Sequence, residues 1–192
     1  TLEKGRYSKI EKIYDKYYQV SKENINGGIL GIAKDITNEI IEKNKAEIDI
    51  LTGLFNRRKY LDVIKNIYLN KLDNYYLLLI DLDNLRELNN NNGHALGDLY
   101  LTKLGNIVKE LKVGTYFRLG GDEFVGLINK DLKQLKLIIE NLFSTIKNTN
   151  LNPKLSISVG IKKLDLNISS INNYSLVDEI LYEVKNNNKG SY

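Results

Sequence analysis

The chain has 192 residues, 42% hydrophobic and 27% charged, and 28 basic against 24 acidic side chains leave it a net charge of +4. That length holds one sizeable domain and an appendage, and so mild a charge fits an anionic small ligand better than a nucleic-acid surface. The absence of cysteine and the single histidine exclude disulfides, thiol catalysis and Cys-zinc sites, and argue against a His-based metal site or a histidine triad. No apolar run is long enough to span a membrane and no signal-peptide pattern is seen. With Thr1 at its start and no methionine, the chain reads as a piece of a longer cytoplasmic protein, any membrane segment of which would lie upstream.

Residues 1 to about 36 are rich in β-formers. Lys9–Tyr14, Lys16–Val20 and the apolar run Ile29–Ala33, with a turn signal at Asn26-Gly27-Gly28, predict two or three antiparallel strands, a β-hairpin unit too small to bury a core alone. A helix is predicted from about Asn38 to Asp49, capped by Asp35 or Thr37, with Ile40, Ile41, Ala46 and Ile48 set among charges. It would lie on its own domain or pair with a second copy. Thr52-Gly53 breaks it, Asn56 caps the next helix (57–69), and Leu61, Ile64, Tyr68 and Leu72 fall on one face of that helix.

Tyr75–Ile80 is a continuous apolar run ending in Asp81-Leu82-Asp83, the pattern of a central strand covered on both faces. Carboxylates at the end of a buried strand need a cation or donors, although Asp83 or Asn84 would equally cap a helix. A short helix over 84–89 is followed by a polar loop, Asn90–Asp98, which holds His94, the only histidine. His94 reads as a loop-fixing residue within reach of a ligand. Asn89 offers donors and an acceptor together, and the Asp98 carboxylate accepts two N–H groups, as the N1–H and N2 amino edge of guanine would supply; each alone reads equally as a cap or turn former. A helix over 99–111 carries Leu101, Leu104, Ile107, Val108 and Leu111 inward.

Tyr116–Ile128 is two short strands around Gly120-Gly121-Asp122-Glu123. The glycines allow close approach to the turn, and a carboxylate beside that opening can hold a hard cation that in turn holds phosphates; the bland reading is a solvated hairpin. If this hairpin lies beside the 75–81 strand, Asp81 and Asp122 converge on a Mg²⁺ site. A helix over 132–146, a strand over 154–161 with Leu155, Ile157, Val159 and Ile161 alternating against polar residues, and a helix over 177–188 with Ile180, Leu181 and Val184 inward complete the chain. Lys185 and Lys189 lie four apart near the end of that last helix. There they suit its dipole or reach a triphosphate. The order predicts an α/β (α+β sandwich) fold with a mainly antiparallel, ferredoxin-like central sheet flanked by helices.

Two resemblances follow. Gly31–Thr37 resembles the last strand of a PAS sensor domain and its exit into a signalling helix. Residues from Asp49 onward resemble the GGDEF diguanylate cyclase family, with its nucleotidyl-cyclase-like fold, in four motifs taken in order: Asp49-x-Leu51-Thr52-Gly53-Leu54-x-Asn56-Arg57-Arg58; Asp81-x-Asp83 with Asn89 and Gly93-His94-x-x-Gly97-Asp98; Arg118-x-Gly120-Gly121-Asp122-Glu123-Phe124; and Asp178-x-x-Leu181-Tyr182-x-x-Lys185. The expected domains are a PAS-like tail (1–36), a signalling helix (37–50) and a GGDEF domain (51–192). The resemblance implies condensation of two GTP into cyclic di-GMP with release of pyrophosphate, using Mg²⁺ or Mn²⁺. By it Asp81, the Leu82 carbonyl and Asp122 would ligate metal, and Asp122 would help deprotonate the attacking ribose 3′-OH. Glu123 would be a second metal ligand. Asn89 and Asp98 would read guanine with His94 nearby, and Lys185 and Lys189 would hold the β- and γ-phosphates. One GTP per domain implies a homodimer through the N-terminal helix or PAS-like segment, with no nucleic-acid or membrane contact in this stretch.

Three departures from the family pattern stand out. Leu111-Lys112-Val113-Gly114 occupies the place of the usual Arg-x-x-Asp product-inhibition motif, so inhibition through that site is not expected. Leu85-Arg86-Glu87-Leu88-Asn89-Asn90 stands for Phe-Lys-x-Ile-Asn-Asp, which changes the geometry of the cation at Arg86. Lys189 stands where many relatives have Arg.

Overall fold

A computed structural model of the chain describes residues 6–25 and 28–192, so the N-terminal five residues and the predicted turn at Asn26 and Gly27 lie outside the described residues. The chain divides into two compact units, one ending at Ala46 and the other running from Glu47 to Tyr192.

In the first unit, strands β1 (Arg6–Ile13), β2 (Lys16–Ile25) and β3 (Gly28–Asp35) form an antiparallel sheet in the order β1-β2-β3. Helix α1 (Thr37–Lys45) follows. It is shorter than the sequence predicts, and neither Asp35 nor Thr37 is its N-cap. That position is Ile36, without a side-chain bond. The Asp35 carboxylate instead accepts from the Thr37 backbone N–H and hydroxyl, which closes a local Asx turn ahead of the helix. No residue of α1 is buried, so its apolar positions do not face a core in this unit.

The second unit is built on a five-stranded sheet in the order β4-β6-β7-β5-β8: β4 (Phe55–Asn56), β5 (Tyr75–Leu82), β6 (Thr115–Gly120), β7 (Glu123–Asn129) and β8 (Ile157–Lys163). Its helices are α2 (Arg57–Leu69), α3 (Leu85–Asn92), α4 (His94–Glu110), α5 (Leu132–Lys147) and α6 (Ser170–Asn187). β5 pairs antiparallel with both β7 and β8, so the four strands β5–β8 are joined by two crossovers, through α3–α4 and through α5. This is the ferredoxin-like plan, widened by the short parallel strand β4. β5 is central and covered on both faces, as its unbroken apolar run predicts. Leu78, Ile80 and Leu82 face one core with residues of α4 and α5, while Leu77 and Leu79 face another with residues of α2 and α6. In the second core Phe117 is fully buried, edge-on to Tyr60 at 5.5 Å between ring centroids.

Several local expectations are corrected. Asn56 caps α2 through Lys59 N–H as predicted, but the buried face of that helix is Tyr60, Ile64 and Ile67, and Leu61 is exposed. The polar loop predicted over 90–98 is helical apart from Gly93, the one residue between α3 and α4, whose φ of 84° breaks the axis. Asn84, at φ 59°, precedes α3 without giving it a side-chain cap, and Asp83 does not cap it either. The polar and small positions at the start of β8 are covered. Ser158 is fully buried, and Gly160 packs directly under α6. α6 starts at Ser170, earlier than predicted, because Ser169 accepts from Asn172 N–H and Asn173 is buried beneath the first turns.

Candidate active site

The carboxyl end of β5 and the β6–β7 hairpin bring the acidic residues together. Asp81 lies opposite Glu123 in the β5·β7 register, and opposing residues of an antiparallel pair share a face, so the two side chains stand side by side. Asp122 is half-buried in the turn itself. Gly120 and Gly121, at φ 148° and 53°, shape that turn, and no atom lies within 4 Å of where their Cβ atoms would be. The tip is therefore open to a large ligand.

Lys185 of α6 reaches Asp81, its Nζ 2.7 Å from Oδ2. Burial pushes the Asp81 carboxyl above its ordinary value, and the neighbouring charges of Asp122 and Asp83 push the same way against Lys185. A carboxylate so placed demands positive charge. The residues Asp81, Glu123, Tyr174, Asp178, Tyr182 and Lys185 line a cavity of about 250 Å³. Burial, then the charges of Glu123 and Asp178, push the Tyr174 hydroxyl up to about 12, so it remains a donor beside them. Among the described residues no group of three or more His, Asp or Glu side chains is gathered to cage a metal. The donor set of hard carboxylate oxygens still fits a Mg²⁺-like cation that takes its remaining ligands from substrate phosphates and water.

Asp83 belongs to the scaffold. Its carboxylate accepts from Ser156 Oγ at 2.6 Å and Ser158 Oγ at 2.8 Å, which ties the end of β5 to β8. Lys189 lies beyond the end of α6 and donates to Asn84 Oδ1 at 2.7 Å, whereas Lys185 pairs with Asp81. Leu82 closes β5 with its side chain buried.

The remaining predicted residues gather around the α3–α4 junction. Asn89 is on α3, while His94 and Asp98 sit one turn apart at the start of α4, both exposed. Asn89 Oδ1 is shut off from water and has no hydrogen-bond partner among the described residues. A buried acceptor left in that state points to a donor that arrives with a ligand.

One connection escaped the sequence reading. Arg118 donates from Nε and Nη2 to the Gly121 carbonyl at 3.0 and 2.8 Å, and from Nη1 to both Asp49 oxygens at 3.2 and 3.3 Å. Asp49 in turn accepts from Thr52 N–H and hydroxyl. Burial raises the Asp49 carboxyl, but the Thr52 bonds and the Arg118 charge outweigh it and hold the group below its ordinary value. The only signal in the sequence was that Asp49 and Arg118 each open a motif, and nothing in the spacing joined them.

A family model described as "Diguanylate cyclase, GGDEF domain" matches residues 46–191. The chain is 31% identical over 156 residues to diguanylate cyclase DgcS of Shewanella oneidensis, covering 77% of this chain and 52% of that protein. It is 30% identical over 173 residues to diguanylate cyclase DgcM of Escherichia coli, covering 84% and 42% respectively. The chain thus spans about half the length of these relatives. Among solved structures, the coiled coil and GGDEF domain of DgcB from Caulobacter crescentus, in complex with c-di-GMP, superposes with a TM-score of 0.74 at 18% identity, covering 80% of this chain and 89% of that one. Diguanylate cyclase SiaD of Pseudomonas aeruginosa, solved with its activator SiaC, superposes with a TM-score of 0.72 at 20% identity, covering 81% and 65%. The fold and the order of the motifs agree with these matches: the chain belongs to the GGDEF domain family of diguanylate cyclases.

Proposed function

We propose that this chain is a diguanylate cyclase that condenses two GTP molecules into cyclic di-GMP and releases pyrophosphate. The observation that carries the reading is the acidic cluster at the sheet end, where Asp81 stands opposite Glu123 beside Asp122 and already holds the Lys185 ammonium. Phosphoryl transfer asks the protein for placement and charge neutralisation rather than covalent chemistry. Asp81, the Leu82 carbonyl and Asp122 would hold a Mg²⁺ or Mn²⁺ ion, with Glu123 as a further ligand on the Asp81 side. Bound there, the ion would neutralise developing charge on the phosphates. Asp122 draws the proton from the ribose 3′-OH that attacks the α-phosphate. Lys185 and Lys189 hold the β- and γ-phosphates, and Asn89 and Asp98 read the guanine edge with His94 beside them.

One domain offers one such cleft and the product contains two nucleotides, so catalysis takes two copies face to face. Residues 37–50 serve as the signalling and pairing element and residues 1–36 as a PAS-like tail, ahead of the catalytic domain over 51–192. A GTP substrate would be met in the cytoplasm, which is the compartment proposed for this domain. Incubation with GTP and Mg²⁺ followed by mass spectrometry should show cyclic di-GMP, and Asp122→Ala should abolish it while the circular dichroism spectrum is retained. GTP binding without turnover in the parent protein would overturn the catalytic reading in favour of a nucleotide-binding regulatory module.

A further inference from the structure

We infer that Gly97 is a positioning residue for nucleobase selection, because bare backbone at this point of α4 is what allows the Asn89 amide to lie wedged between α3 and α4. The inference rests on the guanine reading above and assigns a role to a residue that itself offers no side chain. Gly97 is buried in the first turns of α4. A Cβ built there would come within 2.9 Å of Asn89 Cγ and 3.1 Å of Leu85 Cδ1, and nearer still to Asn89 Oδ1. The contacts with Asn89 are closer than real Cβ atoms come, so any side chain at 97 must displace the amide. Glycine also weakens a helix interior relative to alanine, so a local cost is accepted at this position.

Gly93 is the only residue between the two helices, and its N–H donates to the Asn89 backbone carbonyl at 2.8 Å, which closes the last turn of α3 and fixes the Asn89 backbone next to the start of α4. Asn89 hangs from that junction with Oδ1 buried and, among the described residues, without a donor. Oδ1 packs on the Gly97 backbone, so the space left there decides where the amide lies when Asn89 meets the base it would read. Guanine brings N1–H and the N2 amino group on one edge, and hypoxanthine lacks the second. Gly97 thus sets the position of the acceptor, and the acceptor sets the choice of base.

The test measures binding of GTP and ITP, with Mg²⁺, by calorimetry on the full chain. Gly97→Ala should weaken GTP binding about ten-fold, the loss of one well-placed hydrogen bond, and lower the GTP-to-ITP preference, with Asp98 left to read the same edge. In turnover the loss should fall on KM more than on kcat. In the Asn89→Ala background the amide is gone and only the Leu85 methyl remains close, so adding Gly97→Ala should leave GTP affinity unchanged, whatever small shift in melting temperature the better helix former brings; this double variant also answers the case in which Gly97→Ala alone fails to fold. An unchanged GTP-to-ITP ratio in Gly97→Ala, or an equal loss with and without the Asn89 side chain, overturns the role of Gly97 alone. A parent protein that binds ATP as tightly as GTP overturns this role together with the guanine reading beneath it.

Discussion

Replacing Arg118 with alanine tests whether the segment after α1 and the acidic hairpin are mechanically joined. The side chain is only 12% exposed and its Asp49 partner 22%, so the pair is largely shielded from water. The substitution removes two donors from the Gly121 carbonyl and leaves the Asp49 carboxylate without its counter-charge. Hydrogen bonds to charged groups contribute about 1.5–3 kcal/mol each and are not additive within one guanidinium, so the expected destabilisation is about 2–4 kcal/mol. For a domain of this size that is a fall in melting temperature of roughly 4–16 °C. Asp49→Asn keeps the shape and the bonds from Thr52 while removing the charge, and should cost about 1–2 kcal/mol. The decisive measurement is the double-mutant cycle, read by hydrogen exchange at the amides of β6 and β7. Coupling of about 1–3 kcal/mol is expected. Additivity within about 0.5 kcal/mol would show that the two residues act independently and that the hairpin is not held from Asp49.

The same pair fixes a pH dependence. The folded-state value of Asp49 lies below its ordinary one, so its stabilisation is complete above the ordinary carboxylate range and is lost as pH falls through the folded value. The stability gap between the parent and Asp49→Asn, measured by urea unfolding, should be constant near neutrality and close in acid; a gap that widened in acid would refute the assignment. Gly160→Ala places a Cβ 2.6 Å from the Val177 carbonyl and 2.8 Å from the Leu181 N–H, so α6 must lift from β8. A cost of about 1–3 kcal/mol is expected, together with weaker GTP binding because Lys185 rides on α6; an unaltered melting curve would count against this packing. Asn173 donates to Tyr68 Oη at 2.6 Å and to the Asp165 carbonyl at 2.7 Å, and accepts from Asp165 N–H. Asn173→Leu should therefore cost about 2–4 kcal/mol, and calorimetry showing no loss would mean that these bonds contribute little.

Long-range architecture was more legible than local boundaries. The apolar run of β5 announced a strand covered on both faces, and the two glycines announced the hairpin, because both signals depend on burial and turn chemistry that any neighbour must respect. The helix boundaries were harder. Asn90–Asn92 are turn formers by propensity, yet they stay helical because Leu85 and Leu88 anchor α3 in the core and the break falls on Gly93 alone. Ser158 counted only as a polar residue alternating with apolar ones and Asn173 fell in no predicted element, since a pattern of polar and apolar letters does not show a buried polar group that finds its partners far along the chain. The pairing of Asp81 with Glu123 was hidden for a related reason. The motif presents Asp122 and Glu123 as neighbours, and only the strand register decides which of them faces β5.

The central position of β5 has a consequence for how the protein is made. Both strands that flank it lie downstream in the chain. As the polypeptide leaves the ribosome, Asp81 emerges early and must wait for the hairpin, then for β8 and α6, before its surroundings exist. A nascent or truncated chain that stops short of β8 carries every signature residue from Gly120 to Phe124, yet leaves one edge of β5 unpaired and prone to stick to its neighbours.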